Sequence, residues 1–270
     1  GLGDVYKRQA NTSAPFMRRH KMGIRILKGG MMTTVQDLGR YGYQSQGFSV
    51  AGVMDVRSFK IANLLLDNPE NEAVLEITLI GPTLEFTSAT IIAITGGDFQ
   101  PTINGEPAPM YTALYMNKGD VLKFGSARTG SRGYIAFSSY LDIPVVMGSR
   151  CTNLKSGLGG FKGRKLEADD YIGFRIKRRY LPFFLSRKLD MDEFDQTEAT
   201  LRVVMGPQDG MFSKQGIKTF LGSEYTVTNE FDRMGCRLEG PFIAPKKTSD
   251  IISDGIAFGA IQVPSHGKPC

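Results

Sequence analysis

Short stretches of alternating apolar and polar residues, each bounded by glycine, proline, asparagine or aspartate, make up most of the 270-residue chain. Segments of this kind, rich in β-branched and aliphatic residues, predict short β-strands. The strands predicted in this way span residues 24–27, 73–78, 91–95, 121–124, 134–137, 201–204 and 259–263. Many strands with few helices between them favour a mainly β barrel or sandwich over an open parallel sheet.

Residues 55–66 form the clearest helical segment of the sequence. Phe59, Ala62, Asn63 and Leu66 follow a helical spacing, and Asp55 precedes them as the predicted N-cap. A second short helix is predicted over residues 209–220.

The strand pattern fails between residues 175 and 199, where a basic run, an apolar stretch containing Pro182 and an acidic stretch follow one another. We therefore predict a first domain over 22–175, a linker over 176–199 and a second domain over 200–270. Residues 1–21 show no hydrophobic period and are interpreted as a non-native or disordered leader. The second domain is near the lower size limit for independent stability, so we expect it to be incomplete at its C-terminus.

The composition, 41% hydrophobic and 22% charged, excludes a disordered chain. The net charge of +6 does not predict a nucleic-acid partner, because residues 1–21 hold five basic residues against one acidic residue. The second basic cluster, around residues 175–188, lacks the stacking aromatics of a nucleic-acid reader. No apolar run reaches the roughly 18 residues of a membrane span, so no membrane partner is expected.

Cysteines and histidines are scarce, and this limits the chemistry. Cys151, Cys236 and Cys270 are too far apart for a zinc site and too few for a disulfide framework, which predicts no metal and favours the cytoplasm. His20 and His266 are the only histidines, which argues against a Ser-His-Asp or Cys-His mechanism.

The densest polar segment is TTVQDLGR at residues 33–40. Gln36, Asp37 and Arg40 could present an amide, a carboxylate and a guanidinium to a small polar ligand. Alternatively, Asp37 and Arg40 pair locally and only fasten a turn.

Further candidate residues lie elsewhere along the chain. Glu76 falls inside a predicted strand, where an unpaired carboxylate would be costly, so we expect it to meet an arginine or a backbone donor. The glycine-rich segments 125–132 and 157–164 match no standard phosphate loop; they form tight turns or, in the second, use Lys162 and Arg164 to hold an anion. The remaining candidates are Arg233, Asp254 and Gln262, with turn formation as the alternative for Asp254.

Several ordered strings carry a family resemblance. They are TTVQDLGRYGYQ (33–44), AGVMD (51–55), LEITLIGPTLEF (75–86), TGGDF (95–99), GSRCTNL (148–154), GLGGFKGR (157–164), VVMGPQDGMF (203–212), SEYTVTNEFDRMGCRLEGP (223–241) and SDGIAFGAIQVP (253–264). On these strings the chain resembles the biotin-dependent-carboxyltransferase-like, or allophanate hydrolase subunit 2, family.

The resemblance implies two tandem cyclophilin-like β-barrel domains with few short helices. Ser139–Tyr140 stands where family members usually carry two glycines, and the family continues past residue 270 with a motif absent here, so the second domain is expected to be truncated. The stand-alone bacterial members most similar to this chain are the C subunits of 5-oxoprolinase, which act with subunits A and B. Other members are the carboxyltransferase part of urea carboxylase and antagonists of a kinase inhibitor.

Three functions follow as expectations from the resemblance. The first is a subunit that opens 5-oxo-L-proline, a lactam, to L-glutamate with ATP, and the ATP could be bound by a partner subunit. In it, Asp37, Asp55 or Glu76 activates water, while Gln36, Arg40, Arg164, Arg233, Asp254 and Gln262 bind the substrate. The second is a urea- or allophanate-type carboxyltransferase that needs biotin from another protein. The third is a non-enzymatic regulatory binding protein.

Overall fold

The structure is a computed structural model that describes residues 22–177, 180–190, 198, 200–233, 235–247, 251–252 and 254–270. The leader predicted over residues 1–21 lies outside this range. The chain divides into two compact units, residues 1–197 and 198–270. The domain and linker bounds drawn from the sequence stay predictions.

The first unit is built from two antiparallel sheets. Its strands are β1 (Gly23–Lys28), β2 (Met32–Gln36), β3 (Val74–Thr78), β4 (Thr83–Phe86), β5 (Thr90–Asp98), β6 (Thr102–Ile103), β7 (Glu106–Pro107), β8 (Ala113–Met116), β9 (Val121–Lys123), β10 (Thr129–Phe137) and β11 (Tyr171–Gly173). One sheet has the order β11-β1-β4-β9-β6-β7 and the other the order β2-β3-β10-β5-β8. The mainly β architecture expected from the sequence is confirmed.

The facing sides of the two sheets share one apolar core. Ile24 and Ile26 of β1 are fully buried, whereas Arg25 between them is exposed, which is the alternation of a strand with one covered face. Leu75 and Ile77 of β3 belong to the same core. Strand β3 is nevertheless buried at every position, because its opposite face is covered as well.

Helix α1 (Val56–Leu65) covers that opposite face of the five-stranded sheet. Phe59 and Ala62 pack in one cluster with Val74 of β3 and Ala93 of β5. Asp55 caps the helix by accepting a hydrogen bond from the Ser58 N–H at 3.0 Å, so the predicted helix and its cap are confirmed. The helix thereby fixes the position of its first residues over the sheet.

Ser139–Tyr140, where the resemblance implies two glycines, lies in a turn after β10. Tyr140 has φ +52°, a left-handed conformation in which glycine is favoured. The Arg175 guanidinium stacks 5.1 Å from the Tyr140 ring and forms two 2.6 Å hydrogen bonds with the buried Glu72. These contacts hold the turn in place.

Part of the predicted linker packs against the first unit. Leu181 is buried in the α1 cluster, and the Ala113 N–H of β8 donates to the Arg187 carbonyl at 2.9 Å. Tyr180, Phe183 and Leu185 are more than four-fifths exposed. The segment is therefore anchored at some positions and solvated at others.

The second unit contains one helix and a two-stranded sheet among its described residues. Helix α2 (Lys214–Gly222) begins after its N-cap Ser213, and residues 209–211 form a 3₁₀ turn, so the predicted helix over 209–220 is shifted toward the C-terminus. Strands β12 (Thr226–Phe231) and β13 (Cys236–Glu239) pair antiparallel.

Two predicted strands of the second unit are wrong. Residues 201–204 and 259–263 form no strand in the described chain, and Leu201 and Val204 are 84% and 94% exposed. An alternating pattern yields a strand only where a neighbouring backbone completes a ladder, and the reciprocal backbone bonds between Gln262 and Cys270 are a single pairing that does not extend into one. No helix among the described residues is long and apolar enough to cross a membrane.

Candidate functional site

A line of four buried polar side chains crosses the five-stranded sheet under α1. The strand register places Thr34 opposite Glu76, Glu76 opposite Tyr134 and Tyr134 opposite Thr95. Directly opposite residues of antiparallel strands share a face, and each of the four is at most 2% exposed. We call Thr34, Glu76, Tyr134 and Thr95 the polar row.

Backbone groups at the start of α1 form hydrogen bonds with side chains of the polar row. The Met54 N–H donates to Glu76 Oε2 at 2.8 Å, and the Asp55 N–H donates to the Tyr134 hydroxyl oxygen at 2.7 Å. Thr95 Oγ1 donates to the Ser58 carbonyl at 2.8 Å. The expectation that Glu76 meets a backbone donor is confirmed, and the helix cap at Asp55 lies directly over the row.

Tyr134 joins two of the predicted catalytic residues. Its hydroxyl donates to Glu76 Oε2 at 3.0 Å while it accepts from the Asp55 backbone. Burial, followed by the Glu76 charge, raises the pKa of Tyr134 well above its ordinary value. The phenol therefore stays protonated at neutral pH and remains a donor to the carboxylate.

Arg132 lies at the edge of the polar row, two residues before Tyr134 and on the same side of β10. Its Nε is 3.8 Å from Glu76 Oε1, and its side chain is 13% exposed. Gly96 of β5 lies against this part of β10 with φ +89°. A Cβ there would lie 2.4 Å from the Arg132 carbonyl oxygen, so only glycine permits this approach of the strands.

Asp37 joins the loop after β2 to a second loop at residues 146–152. Its carboxylate accepts from the Gly39 N–H at 2.9 Å, the Ser149 hydroxyl at 2.7 Å and the Arg150 N–H at 2.6 Å. A buried carboxylate with three donors is well compensated for its burial. These contacts make Asp37 a fastening point between the loops.

Arg40 fastens the same two loops. Its Nε donates to the Val146 carbonyl at 3.0 Å and its Nη2 to the Cys151 carbonyl at 3.1 Å. Asp37 and Arg40 therefore do not form the local pair that the sequence left as the alternative; both bond to the 146–152 loop. Arg40 has no exposed surface, so contact with a substrate would require that loop to move.

Gln36 connects the loops to the polar row. Its Nε2 donates to Thr34 Oγ1 at 2.9 Å and to the Thr152 carbonyl at 3.2 Å. The Gln36 Oε1 and Arg40 Nη1 atoms are buried without a hydrogen-bond partner among the described residues. The structure thus brings Gln36, Asp55 and Glu76 together, with Asp37 and Arg40 in the adjoining loops.

Arg164 is bound elsewhere in the first unit. It forms a bidentate pair with Asp170, both bonds 2.7 Å, which raises the pKa of Arg164 and lowers the pKa of Asp170. None of the partners identified for Arg164 belongs to the polar row. Its predicted role in substrate binding stays a prediction.

The glycine-rich segment 157–164 packs against its own chain. A Cβ on Gly159 would lie 2.3 Å from the Cys151 carbonyl oxygen, and one on Gly160 would lie 1.8 Å from Thr152 Oγ1. The space on the Cβ side of these glycines is therefore filled by protein. Among the described residues, no group of three His, Cys, Asp or Glu side chains could hold a metal.

The predicted site residues of the second unit lie in three separate environments. Arg233 is in the turn between β12 and β13, and Asp254 accepts from the Gln208 amide at 3.3 Å. The Gln262 backbone pairs with that of Cys270. No hydrogen bond or ion pair identified in the described part of this unit joins one of the three to another.

Tyr134 and Arg132 are the site residues that the sequence analysis did not select. The strand predicted over 134–137 placed Tyr134 at its first position, and the i, i+2 spacing with Arg132 puts both on one face. That spacing was the available signal. Only the strand register shows that this face also carries Glu76.

Comparison with known proteins is consistent with this architecture. The family described as carboxyltransferase domain, subdomain A and B, matches residues 46–270. The chain is 32% identical to the C subunit of 5-oxoprolinase from Escherichia coli over 250 residues, which cover 91% of this chain and 78% of that protein. It is 32% identical to urea amidolyase of Lachancea kluyveri over 232 residues, covering 80% of this chain and 12% of that protein.

A solved structure shares the fold. The crystal structure of the K. lactis urea amidolyase superposes with a TM-score of 0.73 at 28% identity, over 85% of this chain. This chain corresponds to only 14% of that longer one.

Proposed function

We propose that this chain, which belongs to the family of carboxyltransferase domains with subdomains A and B, is the C subunit of an ATP-dependent 5-oxoprolinase. It would act with subunits A and B to open 5-oxo-L-proline to L-glutamate. The observation that carries the proposal is the 32% identity to the corresponding E. coli 5-oxoprolinase subunit, which extends over 91% of this chain. The 28% identity to the Haemophilus influenzae counterpart supports it.

Glu76 is the carboxylate that we assign to water activation. Asp37 already accepts three hydrogen bonds that fasten two loops, and both oxygens of Asp55 accept from Ser58 at the helix cap. Glu76 instead accepts hydrogen bonds from the Met54 N–H and the Tyr134 hydroxyl at Oε2, and the Arg132 guanidinium lies beside its Oε1. Fixed donors of this kind orient a general base.

The proposed step is hydrolysis of the lactam amide. Water adds its oxygen to the ring carbonyl carbon, Glu76 accepts a proton from that water, the C–N bond breaks, and the ring nitrogen takes up a proton. Because residues 157–164 match no standard phosphate loop, we assign ATP to a partner subunit. Gln36 and Arg40 would keep the loops beside the row in position.

Carboxyl transfer is the second candidate. The urea amidolyase relatives favour it, since one is as similar, at 32% identity, as the E. coli 5-oxoprolinase subunit. Biotin would carry the carboxyl group and would have to come from another protein, because the chain has no Met-Lys-Met attachment sequence. The buried Arg132 Nε, which lacks an acceptor among the described residues, fits a carboxylate or ureido oxygen. The regulatory binding protein also stays a prediction.

The test is a reconstitution of the three-subunit enzyme. We would combine this chain with 5-oxoprolinase subunits A and B and measure glutamate from 5-oxo-L-proline with and without ATP. The proposal predicts glutamate only when ATP and all three subunits are present. Partner subunits that are active with another member of the family, yet inactive with this chain, would favour carboxyl transfer or regulation instead.

A further inference from the structure

Arg132 is held in an unusual state for a buried arginine. Its Nε is buried and has no hydrogen-bond acceptor among the described residues. Its Nη1 donates to the carbonyl of the adjacent Ser131, at 3.2 Å. A guanidinium has five N–H donors and normally satisfies those that are buried, so this donor set is incomplete.

The neighbouring carboxylate does not complete the donor set. Arg132 Nε and Glu76 Oε1 are 3.8 Å apart, which is beyond the 2.7–3.2 Å of a hydrogen bond. The two charges attract each other at this distance, yet the Nε–H remains unused. A buried donor of this kind costs free energy unless an oxygen from outside the described protein accepts it.

The backbone fixes Arg132 in this position. Arg132 lies opposite Thr78 of β3; on the other side of β10 the register with β5 shifts between Thr129 and Gly133, and regular pairing begins at Gly133 opposite Gly96. Tyr134, one register step along, is hydrogen-bonded to Glu76. The arginine and the carboxylate are therefore held by the same strands, and neither depends on a mobile loop for its position.

Arg40 is the other arginine with an unpartnered buried nitrogen among the described residues, and its surroundings differ. Arg40 is 0% exposed and bonds to two carbonyls of the 146–152 loop, whereas the Arg132 side chain retains 13% exposure. Arg132 thus keeps some side-chain surface at the edge of the row, which Arg40 lacks. Arg132 is also the arginine that lies beside Glu76.

We propose that Arg132 binds the carboxylate of the substrate, a small amide or lactam acid, next to Glu76. The inference rests on the proposed function and specifies how the same site selects its substrate. One carboxylate oxygen accepts from Nε and the other from an Nη group, in the fork geometry that guanidinium offers. The amide carbon of the bound acid then lies on the Glu76 side of the guanidinium.

The test compares two lactams in the reconstituted three-subunit enzyme. 5-Oxo-L-proline carries the carboxylate and 2-pyrrolidinone lacks it. For Arg132→Ala we expect the KM for 5-oxo-L-proline to rise at least about tenfold, with a smaller change in kcat, and Arg132→Lys to recover part of the loss. The preference for 5-oxo-L-proline over 2-pyrrolidinone should fall by the same factor.

Arg128→Ala is the matched control. Arg128 lies just before the same strand and has its Nε 3.4 Å from Asp98, but its side chain is 69% exposed. Arg128→Ala should leave KM and kcat unchanged for both lactams. An unchanged KM in Arg132→Ala, or an equal rise in Arg128→Ala, would overturn the inference.

A binding measurement separates this inference from the proposed function. Calorimetric titration of 5-oxo-L-proline into the full chain requires no turnover. Binding by the wild type that is lost in Arg132→Ala supports the carboxylate site even if reconstitution yields no glutamate. Equal binding by both proteins, or no binding by the wild type, overturns it. Matching circular dichroism spectra and melting temperatures would show that the variants are folded.

Discussion

The first unit contains two arginine–carboxylate pairs that differ in how completely they are bonded. Arg164 and Asp170 form two hydrogen bonds of 2.7 Å, and Asp170 also accepts from the Glu167 N–H at 2.8 Å. Arg132 and Glu76 are 3.8 Å apart, and Arg132 Nε has no acceptor among the described residues. The first pair is joined by two direct hydrogen bonds, whereas the second is held at ion-pair distance only.

On this difference rests our proposal that the first pair serves stability and the second serves function. A pair joined by two short hydrogen bonds contributes to stability through those bonds. An incompletely bonded pair in a rigid, buried position adds less to stability and retains the donors that a substrate needs. Both pairs join similar residue types, so composition alone does not separate them.

Glu76→Gln should have the largest effect of the substitutions that test this comparison. Glutamine keeps the size of the side chain but cannot accept the proton of water, so we expect glutamate formation by the reconstituted enzyme to fall at least about 100-fold. Glu85→Gln, on β4 of the other sheet, is the control and should retain wild-type activity. A Glu76→Gln enzyme with wild-type kcat would remove Glu76 from the mechanism.

Tyr134→Phe should have an intermediate effect. The change removes the hydroxyl that donates to Glu76 and accepts from the Asp55 backbone, so we expect kcat to fall about tenfold because a charge-assisted hydrogen bond is lost. In a double-mutant cycle, Tyr134→Phe should lower kcat little further when Glu76→Gln is already present. Full additivity of the two losses would contradict the proposed link. Tyr171→Phe, on β11, serves as the control.

Asp170→Asn should affect stability but leave the site intact. The lost charge-assisted bonds should lower the free energy of unfolding by about 1 to 2 kcal/mol at pH 7, measured by urea denaturation, with kcat unchanged. The Arg164 guanidinium holds the pKa of Asp170 below its usual value. The carboxylate therefore stabilises the fold above the unfolded-state pKa of about 3.9, and this contribution is lost as pH falls through the lower folded-state pKa.

The pH series supplies the outcome that would contradict this assignment. The free energies of unfolding of the wild type and Asp170→Asn should differ by a constant amount between about pH 5 and pH 8, and this difference should shrink below about pH 4. If the difference in free energy of unfolding persists undiminished at pH 2, or if Asp170→Asn loses kcat at pH 7, the assignment of the Arg164–Asp170 pair to stability alone is contradicted.

The sequence predicted local structure better in the first unit than in the second. The strands at β3, β5, β9 and β10 and the helix capped by Asp55 were found from their periodicity and cap. Residues 201–204 and 259–263 had the same apolar pattern, yet they form no strand, since a strand also needs a partner at the right distance. Local pattern is therefore a weaker guide where fewer neighbours complete the sheet.

The candidate site shows a similar division. Glu76 could be selected because a carboxylate inside an apolar strand requires a partner. Tyr134 and Arg132 could not be linked to it, because their sequence positions are more than fifty residues away and only the register of β3 and β10 joins them. Asp37 and Arg40 were recognised as polar candidates, but their bonds to the 146–152 loop depend on a chain reversal that no spacing records.

By itself, the sequence determined the mainly β character of the chain, the position and cap of α1 and the polar residues that carry the family resemblance. These features depend on backbone propensity and on periods of two or 3.6 residues, which act over a few neighbours. The tertiary structure decided that Arg164 pairs with Asp170, that Arg40 is enclosed and that Arg132 keeps an unused donor beside Glu76. Hydrogen-bond satisfaction depends on which distant strands meet, so it is fixed only when the sheet is assembled.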